Sequence, residues 1–372
     1  MRAAGGIGSE VSGSRRLALV LGSGASATLG LPTTTQLGER LLTKPNGIEL
    51  WPDIEDFISD RIADYWSTVF GWSHNKPKPT LEDHFTQLDL AANSGHQLGS
   101  KYDPKQLRAI RRMTIHRVFT LLRSPGWQVD CVYRFFKALV DNFDVTVITT
   151  NWDSEAESYL GLLNIPFTFG LDEVTLDGRR PPSDGVLISK LHGSVDWGYC
   201  DSCRTLTTFG DQTVHAVVSQ RLLLEPGDFN LLGREDLATK LGHDRTNTAV
   251  RTCGCGGRIG VRVATFSYRK DLNPHAFYTI WDKAASGLQL AKRWLFVGYS
   301  LPEADIEIRH MLKWTQLARR NASEPSIRAV LQRDRGAAER YQRFFGISES
   351  NVFQCGFEGW ISEHFDRFCD SE

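Results

Sequence analysis

A chain of 372 residues with 41% apolar composition is long enough for one large core or two smaller ones. Its 43 basic and 44 acidic residues leave a formal net charge of −1, which gives no global field for a membrane surface and no direct nucleic-acid signal. No apolar run approaches a membrane span, and residues 1–14 read as a flexible tail without the apolar core of a signal peptide, so a cytoplasmic protein is the expectation.

The apolar run Leu17–Leu21 predicts a buried strand. It breaks into Gly22-Ser23-Gly24-Ala25-Ser26, then Gly30-Leu-Pro-Thr33 and a helix near 34–43. Residues without a Cβ let backbone N–H groups approach a pyrophosphate, although a Gly-Ser-Gly turn is also common as a plain turn. From 45 to 142 the pattern is helical: Ile54, Phe57, Ile58, Ile62, Tyr65, Trp66 and Val69 recur at helix spacing, and Pro52 suits a first turn. Thr80 with Asp83 marks another start, Leu107, Ile110 and Val118 belong to a further helix, and one more is expected near 128–142. This helical insertion is expected either to cover the sheet or to cap a pocket.

Strands are then expected at Asp144–Thr149, Val186–Ser189, Trp294–Val297, Ile327–Leu331 and Val352–Cys355, with helices at 303–319, 335–345 and 358–369. Residues 205–250 are mixed and polar and read as a small irregular subdomain. Strand–helix alternation implies an α/β fold with a Rossmann-like, doubly wound parallel sheet.

Three polar motifs follow strands, where doubly wound folds bind ligands. In Thr149-Thr150-Asn151-Trp152-Asp153, Asn offers a donor and an acceptor and Asp a carboxylate, though all these types also cap helices. In Lys190-Leu-His192-Gly-Ser194 the His is a candidate general base, against the plainer reading of a structural histidine. In Gly298-Tyr-Ser300-Leu-Pro-Glu-Ala-Asp305, Gly298 and Ser300 suit a phosphate or ribose, and Asp305 a ribose hydroxyl or a first helical turn.

Seven cysteines, an odd number, argue against a disulfide framework. Cys200-Asp-Ser-Cys203 and Cys253-Gly-Cys255 instead match a structural tetrahedral Zn2+ site in a subdomain over 198–262, with free thiols in a mobile subdomain as the alternative.

A Gly-rich loop, a Thr-x-Asn-x-Asp, a His-Gly, two cysteine pairs and a Gly-x-Ser turn, in this order, resemble the sirtuin-like superfamily. The resemblance implies a single NAD-binding domain over 15–372, interrupted by the helical insertion 45–142 and the zinc subdomain. It implies that Gly22, Gly24, Ala25 and Ser26 hold the phosphates of NAD+, with Ser23, Thr33, Thr150, Gly298, Ser300 and Asp305 among the cofactor contacts. Asn151 and Asp153 would line the nicotinamide pocket, and His192 would be the catalytic base.

The superfamily contains protein deacylases and the NAD+ glycohydrolases of bacterial antiphage systems. Deacylases follow the first loop with Pro-Asp-Phe-Arg, where this chain has Pro32-Thr33-Thr34-Thr35, and they carry Phe-Gly-Glu where it has Thr265-Phe-Ser-Tyr268. These departures imply NAD+ hydrolysis to nicotinamide and ADP-ribose, controlled by homo-oligomerisation or a regulatory protein. The cysteine pairs point the other way, because zinc is regular in deacylases. A non-catalytic NAD or ADP-ribose sensor, or a zinc-bearing interaction protein, stays open as a rival.

Overall fold

The computed structural model describes residues 15–43, 52–122, 129–171, 173–175, 185–200, 202–208, 223–245, 252–257, 259–261, 263–268, 275–318 and 324–370. The expected tail at 1–14 and the start of the insertion at 45–51 lie outside them.

The first strand, β1 (Arg16–Leu21), is followed by helices α1 (Ser23–Ala27), α2 (Thr34–Arg40), α3 (Pro52–Phe70), α4 (Leu81–Ser94), α5 (Pro104–Leu121) and α6 (Asp130–Asn142). Next come β2 (Asp144–Thr149), α7 (Glu155–Leu162), β3 (Phe167–Thr168), β4 (Glu173–Thr175) and β5 (Val186–Lys190). A middle portion holds β6 (Trp197–Cys200), β7 (Leu206–Thr208), α8 (Pro226–Leu231), α9 (Glu235–Arg245) and β8 (Ile259–Gly260). The chain closes with α10 (His275–Leu290), β9 (Arg293–Val297), α11 (Ile306–Leu317), β10 (Ser326–Val330), α12 (Arg335–Phe345), β11 (Val352–Phe353) and α13 (Gly356–Asp370).

Seven strands form a parallel sheet in the order β3-β5-β2-β1-β9-β10-β11. β1 is central and pairs with β2 along its whole length and with β9 from Leu17 to Leu21. A strand covered on both faces needs apolar side chains on both, which is why Leu17–Val20 run apolar without alternation and are fully buried. The chain leaves β1 toward β2 and β5, then crosses back to β9. Right-handed crossovers in opposite directions place α6 and α11 on opposite faces and put a topological switch point between β1 and β9.

Two cores result. One surrounds the sheet and includes Val132, Phe135 and Leu139 of α6, so the helix expected near 128–142 is a sheet-covering layer. The other joins α3, α4 and α5 to Leu224, Phe229, Leu237, Leu241 and Ile259 of the middle portion. Residues 205–250, expected to be irregular, contain β7, α8 and α9, and α8 and α9 complete this second core. Their apolar residues are few, but Pro226 opens α8 and Asp228 closes a capping box with Glu225. The helix expected at 303–319 starts at Ile306, because Leu301 takes a left-handed φ of 54° and keeps the preceding turn out of helical conformation.

His84 sits at the centre of the second core. Trp66 Nε1–H donates to its Nδ1 at 2.8 Å, and its Nε2 meets Thr114 Oγ1 at 3.1 Å. Burial lowers its pKa from 6.5 to about 3, since a second proton would face the indole N–H. The folded state therefore holds His84 neutral over a range in which the unfolded chain binds a proton. The contribution is complete above about pH 6.5 and is lost as pH falls toward 3, at about 1.4 kcal/mol per pH unit. Urea unfolding between pH 7.5 and 5 should show this slope, and His84→Asn should flatten it.

Candidate active site

At the switch point the turns after β1 and β9 pack backbone against backbone. Gly298 has φ 65°, and a Cβ there would lie 2.0 Å from the Ala25 nitrogen. A Cβ at Gly22 would lie 2.5 Å from Tyr299 Cα, and one at Gly24 2.8 Å from Gly298 Cα. Gly22 N–H donates to Val297 O at 3.0 Å, Gly24 N–H to Gly298 O at 2.9 Å and Ala25 N–H to Gly22 O at 2.9 Å. The glycines read from sequence as a phosphate cradle thus serve the contact between two turns, and three of the loop's N–H groups are committed to carbonyls.

Eight of the expected residues line one solvent-open cleft of about 700 Å³ beside these turns: Ser23, Thr150, Asn151, Asp153, His192, Gly298, Ser300 and Asp305. Gly22, Gly24, Ala25, Ser26 and Thr33 are not on its wall. Ser26 turns inward: Asn151 Nδ2 donates to its Oγ at 3.0 Å, and that hydroxyl donates to Asp153 Oδ2 at 2.8 Å. Burial raises the Asp153 pKa, although Lys190 and the Ser26 hydroxyl oppose the shift. Ser26 therefore fixes Asn151 against Asp153. Thr33 is the N-cap of α2, in a capping box with Gln36, so its side chain is engaged by the helix start.

His192 follows β5 directly. Its Nδ1 lies 3.1 Å from the carbonyl oxygen of Thr150, an acceptor only, so Nδ1 carries the hydrogen and Nε2 carries the lone pair. Nε2 is 3.9 Å from Asp305 Oδ1. The other oxygen of Asp305 accepts from the buried Tyr299 hydroxyl at 2.9 Å, and burial with the nearby carboxylate raises the Tyr299 pKa well above its usual value. Gly193, with φ 84°, makes the turn that carries His192 over the end of β2. This arrangement can move a proton at Nε2, and Asp305 can stabilise the charged imidazolium.

Sequence reasoning missed the rest of the wall. Trp152, Phe266, Tyr299 and Thr34 also line the cleft, with Glu82 of α4 and Leu122 from the helical lobe. Trp152 packs between Phe119 at 5.7 Å and Phe266 at 4.9 Å, fixing the strand-end loop against that lobe. Trp152 lay inside a recognised motif. Phe266, Glu82 and Leu122 carry no local signal, because only the fold brings them to the sheet.

The four expected metal ligands converge. Cys200 Sγ is 3.6 Å from Cys255 Sγ, Cys203 Sγ is 3.5 Å from Cys253 Sγ, and all four lie within 4.8 Å of one another. Zn–S bonds of about 2.3 Å in a tetrahedron require sulfur–sulfur distances of about 3.8 Å, so the cluster fits a zinc site. The small sheet β4-β7-β6-β8 carries it. Gly256 at φ 82° and the Gly257 N–H, 3.4 Å from Cys255 Sγ, form the turn of a zinc knuckle.

No family profile and no curated protein matches the chain. Among solved structures it is similar to a Sir2 homologue in complex with NAD, at 15% identity, TM-score 0.40, over 95% of this chain and 88% of that one. It is also similar to a Sir2 homologue mutant bound to ADP-ribose, at 13% identity, TM-score 0.42, over 95% and 91%. A third is Sir2 with an inhibitor, 2′-O-acetyl-ADP-ribose and a deacetylated p53 peptide, at 12% identity, TM-score 0.36, over 90% and 95%.

Two outcomes are expected. Gly298→Ala should cost about 2–4 kcal/mol through backbone strain and steric contact, read as a lowered thermal midpoint. Metal analysis should find one zinc per chain, lost in Cys203→Ser together with thermal stability.

Proposed function

We propose that the chain is an NAD+ glycohydrolase, cleaving NAD+ with water to nicotinamide and ADP-ribose. The observation that carries this reading is the pairing of Asn151 with His192, whose tautomer is fixed by the Thr150 carbonyl, on one cleft at the β1/β9 switch point. The bond between nicotinamide and the ribose breaks through an oxocarbenium-like state, and nicotinamide leaves as a neutral ring. The water oxygen then bonds to the ribose carbon and its proton goes to a base. The protein needs to orient the nucleophile, stabilise positive charge and accept that proton.

Asn151 supplies a donor and an acceptor for the carboxamide and the water. Ser26 and Asp153 hold it from behind. His192 Nε2 takes the proton from the water or from a ribose hydroxyl, and Asp305 favours the resulting imidazolium. Ser23, Thr150 and Ser300 offer hydroxyls to the phosphates and riboses. Cys200, Cys203, Cys253 and Cys255 would hold a structural zinc, and no step of this reaction uses it.

Hydrolysis is favoured over deacylation by how the segment after the cysteine cluster is engaged. Ala264 N–H donates to His192 O at 3.0 Å, Thr265 Oγ1 donates to Asp89, and Tyr268 N–H donates to Thr86 Oγ1 at 2.9 Å. Two backbone N–H groups of this segment, those of Ala264 and Tyr268, are thus already taken and not open to a peptide strand. The cysteine cluster favours the second reading, an NAD+-dependent protein-lysine deacylase. The departures from the deacylase pattern at Thr33–Thr35 and Thr265–Tyr268 support the defence-hydrolase reading and with it a cytoplasmic antiphage role. Such an enzyme harms its own host unless self-assembly or a regulatory protein controls it.

Purified protein incubated with NAD+, with and without an acetyl-lysine peptide, separates the readings. Nicotinamide and ADP-ribose without peptide are the expected products; an acylated ADP-ribose formed only with peptide would replace this proposal by deacylation. His192→Ala and Asn151→Ala should each lower turnover by about 10²–10⁴ with an unchanged thermal midpoint.

A further inference from the structure

In a three-layer fold the outer faces of the helices meet water and are normally polar. The face formed by α10 and α11 is not. Of eight large hydrophobic side chains exposed among the described residues, five lie on these two helices: Tyr278, Leu290, Ile306, Trp314 and Leu317. On α11, Ile306, His310, Trp314 and Leu317 fall at i, i+4, i+8 and i+11, a single stripe turned away from the buried Ile308 and Leu312. Between the helices runs an open groove of about 1090 Å³, walled by Phe277, Trp281, Ala285 and Met311. The described helices α3 to α6 carry none of the eight.

We infer that this face is the interface of a homodimer, with a second copy of the chain as its occupant. A two-fold interface is self-complementary, so one patch has to present both the projecting and the receiving surface. Here it does. Trp314, 50% exposed, and Tyr278, 62% exposed, project at the open groove between the two helices. A fully enclosed aromatic buries about 150–250 Å², so the exposed parts of these five side chains offer roughly 500 Å². That supplies most of the apolar centre of an interface with ~800 Å² per partner.

The face is continuous with the cleft. Asp305, which faces His192 and accepts from Tyr299, is the residue before the first turn of α11, while Ile306 and Glu307 already line the groove. Docking on α11 therefore bears directly on the segment that positions Asp305.

Sedimentation equilibrium from sub-micromolar to 100-micromolar protein tests this without any nucleotide. Wild type is expected at the mass of two chains, or a multiple of two. Trp314→Glu and Tyr278→Glu are expected to weaken dimerisation at least ~30-fold while keeping wild-type circular dichroism and thermal midpoint. Leu162→Glu, on α7, should leave the mass unchanged. A wild type that is monomeric throughout overturns the inference and leaves the groove to a different protein. Folded Trp314→Glu and Tyr278→Glu variants that keep the wild-type mass overturn it as well.

Discussion

The cleft depends on one contact, the backbone-to-backbone packing of the turn after β1 on the turn after β9. A Cβ at Gly22, Gly24 or Gly298 would lie within 3.0 Å of backbone atoms of the facing turn, so the two turns would have to move apart. Their close approach lets Ser23, Gly298 and Ser300 lie side by side on one wall. It also seats Tyr299 in the core, where its hydroxyl reaches Asp305. The same contact joins the two halves of the doubly wound sheet at the point where strand order reverses, so the ligand wall and the sheet's continuity share one physical cause.

The opposite wall comes from the second core. Trp152 sits at the end of β2 but packs among Phe119 and Phe266, so the loop carrying Asn151 and Asp153 is held by both lobes. Beneath it lies Lys190, with no exposed surface. Its ammonium donates to Glu157 Oε1 at 2.6 Å and to the Asp153 carbonyl oxygen. Burial opposes the charge, but Glu157, Asp196 and Asp153 hold its pKa above the usual lysine value. A buried ion pair of this kind contributes little net stability, yet loss of one partner leaves an uncompensated charge. Its value here is geometric: the Asp153 backbone, and with it the Thr150 carbonyl that orients His192, has a fixed floor.

Sequence legibility follows the range of the forces involved. The central parallel strands were readable because full burial imposes a continuous apolar run, as in Leu17–Leu21 and Trp294–Val297, whereas the two-residue edge strand β3 was too short to leave one. Asn151, His192 and Asp305 were readable because polar residues after such runs stand out, and the cysteine pairs because metal ligation constrains spacing. α10 went unnoticed: its aromatic outer face masks the amphipathic pattern that marks a surface helix. α8 and α9 were hidden for the opposite reason, since they carry few apolar residues and owe their order to packing, α8 on α5 and α9 on α8. The direction of Ser26 was unreadable too. A small hydroxyl beside two glycines looks the same in sequence whether it faces a phosphate or an asparagine 125 residues away.

That inward turn of Ser26 changes how the site works. A phosphate cradle would make the first loop a binding element, felt mainly through substrate affinity. A hydroxyl that accepts from Asn151 and donates to Asp153 makes it a positioning element for the reacting end of the cleft. In the proposed reaction, such an element would act by removing the need to reorganise dipoles as charge develops, a transition-state effect rather than a ground-state one. Asn151, held from behind by Ser26, and the Thr150 carbonyl that holds His192 lie on the same loop after β2, so one segment sets both groups. The glycine contact, the buried lysine and the Trp152 anchor all converge on keeping that segment still.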